Sequence, residues 1–304
     1  MVSVPAKYID DKVITLTGYW IKSACVWDEE LIEGDGITKP EEFISKFRET
    51  GLNADLFTFA QKLPDTVQKF RYRAEWDNFA VIPITTYSEW FKNRAESSVQ
   101  RAVRKAAKSG IVVRVAEFDD AFIQGIKEIQ DESPVRQGRP FWHYRKSFDD
   151  VKREYSTYAA RNIFLGAYLG DELIGFIRMT STDKTVNIIQ LLSKMKYFDK
   201  RPANALIAKA VEVCEQRGLS HLQYCNYVYN DPNSSLTEFK RRNGFEPMYV
   251  PRYYIPLTWK GKVALAMGIH RGLVARIPKG LLMRLLKMRN LWYERRLKSV
   301  KEKT

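Results

Sequence analysis

The chain has 304 residues, 45% of them hydrophobic and 13% aromatic, which is enough for one large core or two smaller ones and excludes a disordered protein. No run approaches the ~20 apolar residues that span a bilayer, and VSVPAKYIDD after Met1 lacks an apolar signal core, so a cytoplasmic protein is expected. The net charge of +14 is uneven: residues 259–304 hold 13 Lys and Arg against Glu294 and Glu302, a net of +11, leaving +3 for everything before them, so a uniformly basic nucleic-acid surface is excluded.

In chain order, DKVITLTGYW (11–20), DLFTFAQKL (55–63) and FAVIPITTY (79–87) read as strands. SSVQRAVRKAAKSG (97–110) is a basic helix closed by Gly110, IVVRVAEF (111–118) a strand, and DDAFIQGIKEIQDES (119–133) a second helix. DESPVRQGRPFWHY (131–144) breaks all periodicity with Pro134, Gly138 and Pro140 and predicts a surface loop rich in binding chemistry. IFLGAYL, LIGFIRMTS and TVNIIQLLSKM, separated by GDE and TDK, form an antiparallel meander over 163–195. RPANALIAKAVEVCEQRG (201–218) repeats Leu206, Ile207, Ala210, Val211 and Cys214 at helical spacing, with Pro202 near its start and Gly218 past its end. HLQYCNYV (221–228) is then a strand parallel to the one before that crossover helix. SSLTEFKRRNG (234–244) is a short helix and FEPMYVPRYYIPL (245–257) a last extended run. Cys25, Cys214 and Cys225 show no zinc-type pairing, so buried thiols are expected and no metal.

This order of elements, the meander LGAYLGDELIGFIRM and the ending EFKRRNGFEP resemble the GNAT superfamily of N-acyltransferases. RAVRKAAKSGIVVRV and DESPVRQGRPFWHY are similar to the Fem-type branch, which includes aminoacyl transferases of peptidoglycan bridge synthesis and acyltransferases of cell-surface polysaccharide loci. The resemblance implies an α/β fold with a mixed, mostly antiparallel sheet flanked by helices. It divides the chain into a partial, degenerate GNAT-like segment (1–96), an acyltransferase domain (97–257) and a basic helical tail (258–304). It also implies acyl-CoA, acetyl-CoA foremost, as donor and an amine of a sugar or cell-surface glycan intermediate as acceptor. The rival readings are an aminoacyl-tRNA donor, or a catalytically inactive module held at a membrane.

In that fold the donor's pantetheine arm lies between NIIQLLSKM, with Gln190 and Leu192, and HLQYCNYV. Its pyrophosphate meets the start of the helix at Pro202, where free N–H groups and the helix dipole favour an anion and Lys196, Lys200 and Arg201 add charge. MKYFDKRPANAL lacks the superfamily's Gly-rich turn, and Asn204 and Ala205 stand at the close approach. The tyrosine that many such enzymes carry just before Gly-Phe is also absent, FKRRN taking its place.

Other residues are candidates for the proton. Tyr227 and Tyr229 end the parallel strand at the sheet's carboxyl edge, where they serve either the site or packing. Glu132 and His143 flank the loop, as bases for an ammonium substrate or as an ion pair and a packed ring. Arg136 and Arg139, with Gln137, Trp142 and Tyr144, read as an acceptor clamp, the planar forks suiting carboxylate or phosphate, or else as solvated loop charges. In 279–304, Leu281, Leu285, Met288 and Trp292 make an apolar stripe among arginines and lysines, the pattern of a helix lying on an anionic membrane face or docked on its own domain.

Overall fold

The computed structural model describes residues 6–34, 36–136, 139–229, 231–271 and 288. Strands β1 (Ala6–Ile9), β2 (Lys12–Thr17) and β3 (Ser23–Val26) open the chain. Helix α1 (Pro40–Glu49) follows, with Pro40 in its first turn and Phe43, Ile44 and Phe47 on its buried face. It crosses over to β4 (Leu56–Ala60), which runs parallel to β3, and β5 (Arg73–Pro83) comes next. A single turn α2 (Tyr87–Glu89) leads through a π-helical turn at Trp90–Arg94 into α3 (Ser97–Lys108).

Strand β6 (Ile111–Ala116) precedes α4 (Asp120–Asp131), whose first turn is capped by the Asp119 carboxylate accepting from Phe122 N. The Pro-rich loop holds only the two-residue pair β7 (Val135–Arg136) and β8 (Arg139–Pro140). Helix α5 (Phe148–Tyr155) leads to the meander β9 (Asn162–Leu169), β10 (Glu172–Thr182) and β11 (Thr185–Ser193). The crossover α6 (Pro202–Gln216), closed by Gly218 at φ 64°, returns to β12 (His221–Asn226), parallel to β11. Last come α7 (Ser235–Arg242), β13 (Glu246–Pro256) and α8 (Trp259–Ala266).

One eleven-stranded sheet runs β1-β2-β3-β4-β13-β5-β12-β11-β10-β9-β6, antiparallel except at β3/β4 and β11/β12. The mixed, mostly antiparallel sheet flanked by helices expected from the sequence is the fold of the chain. Each parallel pair is bridged by a helix, α1 in one half and α6 in the other, and the strand beside each belongs to the opposite half of the chain. Late β13 completes β4, and early β5 completes β12. A boundary at 96/97 therefore does not separate two sheets.

Three large apolar clusters, and a small one of Phe79, Val81 and Val250, cover the sheet. Helices α3 and α6 bury one face against Val186, Ile188, Leu222 and Ile82. Helices α4 and α5 bury the other against Phe164, Leu173 and Phe176. In the first half, α1 packs on Phe57, Phe59 and Tyr253. The boundary at 257/258 is also crossed: Ala264 and Leu265 of α8 are buried, Arg73 Nη1 donates to Leu265 O at 2.9 Å, and a Cβ on Gly261 would stand 2.0 Å from Asp55 O. The expected amphipathic helix in 279–304 lies outside the described residues, of which only Met288, exposed, falls within it.

Candidate active site

Strands β11 and β12 stay paired for only three rungs, Thr185↔His221, Val186↔Leu222 and Asn187↔Gln223. Beyond them both strands bulge. In β11 the register against β10 slips so that Arg178 faces Gln190 and Met179 faces Ile188, leaving Ile189 as the extra residue. In β12 the register against β5 slips between Gln223 and Asn226, Cys225 takes a left-handed φ of 46°, and the chain turns onto β5, with Tyr227 N donating to Asn78 O at 2.7 Å. The result is a wedge that opens toward the carboxyl ends of the two strands, with a length of β11 edge turned into it.

The α6 crossover returns antiparallel to the strands, so its N-terminus lies at the open end. No glycine supplies the turn there, and Arg201 itself adopts the left-handed backbone at φ 64°. Lys200 and Arg201 have no ion pair among the described residues. Lys196 is held elsewhere, its Nζ 2.9 Å from the Glu172 carboxylate, which also takes Lys194 and the Tyr197 hydroxyl and is thereby lowered to about 2. Asn204 bonds Asn243 Oδ1 at 3.1 Å, and Ala205 is buried. The side chains of Gln190 and Leu192 face the α4/α5 side, so β11 offers the wedge its backbone edge rather than those side chains.

The loop is folded back on the sheet more tightly than its composition implies. Arg136 points inward: Nη1 donates to Ser193 O at 2.9 Å, Nη2 to Ile129 O at 2.7 Å and to Glu132 at 3.3 Å. Its fork thus joins the end of α4 to the end of β11, while Arg139, opposite it in the small ladder, is exposed. Glu132 receives the N–H groups of Met195 (2.5 Å) and Lys196 (3.0 Å), capping the short turn that leads into α6. His143 is buried between Gln130 and Gln190, its Nε2 3.2 Å from Gln190 Nε2 and its Nδ1 3.5 Å from Glu154, with the Trp142 ring tilted against it at a centroid distance of 3.7 Å. Trp142 is exposed and carries Lys146 Nζ 3.4 Å from its ring centre, and Tyr144 lies beside Arg145. Gln137 lies outside the described residues.

Residues 124–245, which hold the wedge, both bulges and the α6 start, match the acetyltransferase (GNAT) family model. The chain carries a GNAT domain. Across almost the full chain the fold resembles the C-terminal domain of a putative lysylphosphatidylglycerol synthetase from Agrobacterium fabrum (13% identity, 87% of this chain and 88% of that one, TM-score 0.55). The L-PGS of Bacillus licheniformis (13% identity, 84% and 85%, TM-score 0.56) and FemX (10% identity, 82% and 88%, TM-score 0.57) share it too. No curated protein matches the sequence.

Within the GNAT domain, the mouth of the wedge holds one group that the sequence reading passed over. Lys240 of α7 is fully buried: Nζ donates to Asn226 O at 2.6 Å and lies 4.6 Å and 5.1 Å from the ring centres of Tyr224 and Tyr229. Tyr229 bonds the Cys225 thiol, and burial pushes its hydroxyl up, so it stays a donor at neutral pH; Tyr227 packs against the α6 cluster. FKRR looks like a solvated basic run, but Thr237, Lys240 and Asn243 at three-residue spacing are all buried.

Burial lowers Lys240 from 10.5 to about 8. The unfolded chain thus binds more protons between those values, and stability should rise with pH across that window. Lys240→Met is expected to stabilise the protein at pH 7 by about 1–3 kcal/mol, the lost bond to Asn226 O offsetting part of the relief. The advantage should shrink toward pH 10. Urea unfolding at both pH values checks it.

Proposed function

We propose that the chain is an N-acyltransferase that takes its acyl group from acyl-CoA, acetyl-CoA foremost, and delivers it to an amine of a sugar or cell-surface glycan intermediate. The observation that carries this reading is the early end of the β11/β12 ladder. A pantetheine arm, with its two amides, suits the β11 edge turned into the wedge, because buried backbone groups need partners. Lys200, Arg201 and the α6 N-terminus suit a pyrophosphate at the wedge mouth. Near the bulge the thioester would lie beside the Ile189 amide, which suits a developing oxyanion, and the Tyr229 hydroxyl would protonate the departing thiolate.

The absence of glycine from 195–205, and the full-length likeness to FemX and the two synthetases, favour a second reading with an aminoacyl-tRNA donor. On either reading, segment 279–304 serves as a dock on an anionic membrane face. Acetyl-CoA at a hundredfold excess over its Kd should raise stability by about 2.7 kcal/mol in thermal unfolding. No shift with any CoA ester, together with stabilisation by tRNA, would transfer the proposal to the second donor.

A further inference from the structure

A cavity of about 660 Å³ opens where the first half of the chain meets the β10–β11 hairpin. Its floor is the last paired rung below the wedge, Asn187 and Gln223. Because Val186, Ile188 and Leu222 face α6, the alternation of the strands turns Asn187 and Gln223 to the opposite face. A molecule here therefore reaches the apex of the wedge from the side away from α6.

The wall above that floor is the short turn Glu29–Leu31. Glu29 is engaged by Arg252 and by Ala60 N. Glu30 is not: its only side-chain partner among the described residues is Gln223 Nε2 at 3.3 Å. Glu30 is exposed, but to the cavity, with packed protein on its other sides. That packing, reinforced by Glu29, pushes its pKa up to about 7.

Beside it, Asn187 is 4% exposed and its Nδ2 donates to Glu30 O at 3.2 Å, which fixes the amide's orientation and leaves Oδ1 buried without a partner. Both residues line the cavity, which thus offers a carboxylate and an acceptor without a partner to a ligand with several donors. The remaining wall mixes hydroxyl groups such as Thr182 and Thr185 with the rings of Phe70 and Phe79, a lining suited to a saccharide.

We propose that this cavity receives an amino sugar, seating its ammonium between the Glu30 carboxylate and Asn187 Oδ1, and that Glu30 is the general base of the transfer. The base role rests on the acyltransferase reading above. The ammonium gives one proton to Glu30 and its nitrogen attacks the thioester carbonyl carbon. The C–N bond forms, the C–S bond breaks, and the second N–H proton passes by way of the Tyr229 hydroxyl, which gives one proton to the departing thiolate and regains one from nitrogen, leaving amide, free thiol and protonated Glu30. Glu30 then releases its proton to water through the cavity. The charged or titratable groups acting on it include Asp28 and Glu29 on its own turn, Asp77 of β5, Cys225 of β12 and Arg252 of β13, and Lys62, Asp65, Lys69, Asp183 and Lys184 line the same cavity.

The test uses the full chain as wild type, Glu30→Gln and Asn187→Val, with desulfo-CoA as donor probe, glucosamine as acceptor probe, and N-acetylglucosamine as the sugar without an ammonium. Desulfo-CoA should stabilise all three proteins equally. Glucosamine should bind the wild type and lose about tenfold or more in affinity in Glu30→Gln, as expected for a charge-assisted bond, and N-acetylglucosamine should bind all three weakly. With acetyl-CoA, the ratio of wild-type to Glu30→Gln kcat/KM should rise through pH 7, a ratio in which the amine's own titration cancels. If Glu30→Gln does not fold, Asn187→Val carries the test, with weaker glucosamine binding at an unchanged pH profile. A desulfo-CoA shift with equal glucosamine affinity in wild type and both variants overturns the site alone. No desulfo-CoA shift in any protein overturns the acyl-CoA reading and, with it, the base role of Glu30.

Discussion

Changing Lys200 and Arg201 together to Glu should weaken acetyl-CoA binding by roughly two to four orders of magnitude. Two charge-assisted contacts at about 1.5–3 kcal/mol each are lost, and like charges replace them. Fold stability should hardly change, because neither residue has an ion pair among the described residues. Arg201→Gly is the informative control. It removes the charge while keeping the left-handed backbone at φ 64°, so it should lose affinity yet gain slightly in stability. Calorimetric titration at low and high salt would separate the cases, since contacts with an exposed pyrophosphate weaken as salt rises. Undiminished binding in the double variant would remove the α6 start from the donor site.

The largest expected loss of stability is at Trp90. Its ring is 1% exposed, packs on Tyr87 and Phe91, and donates from Nε1 to Asn243 O at 2.9 Å. Trp90→Ala should cost about 3–5 kcal/mol, measured as a lowered urea midpoint at constant m-value. The orphaned carbonyl adds to the cavity left behind. Since Asn243 also holds Asn204 at the start of α6, donor affinity should fall alongside stability. Trp90→Phe, which keeps much of the volume but not the donor, should lose less.

What the sequence disclosed depended on whether a pattern was local. The meander and α6 carry their own periodicity and turns, so both could be read from single stretches. Four-residue β1 and β3 are too short for alternation to register, and they were missed. So was α1, although PEEFISKFRE has Pro at its start and Phe43, Ile44 and Phe47 at helical spacing; its acids and lysine masked the stripe. The place of β5 between β12 and β13 could not be read at all, because Leu222↔Ile82 and Glu246↔Val81 are pairings set by the whole fold.

The candidate site was legible in the same partial way. The parallel pairing follows from the strand–helix–strand order and the donor gap was implied only by the family resemblance, while the inward turn of Arg136 and the burial of Lys240 depend on neighbours distant in sequence. Glu30 gave no signal, since an EE pair in a polar turn looks like any surface turn until the β10–β11 hairpin closes over it.

The exchange of β5 and β13 between the halves sets an order of events on the ribosome. Once residue 83 has been added the strand Arg73–Pro83 is complete in sequence, yet both of its neighbours are still unsynthesised. At 5–20 residues per second the chain needs roughly 7–28 s to reach residue 221, and longer to reach β13. Throughout that interval Phe79, Ala80, Val81 and Ile82, all buried in the finished sheet, sit on a strand with two open edges. Such an edge pairs readily with other chains. Keeping that strand unpaired until β12 and β13 arrive is therefore part of what this topology asks of the folding chain.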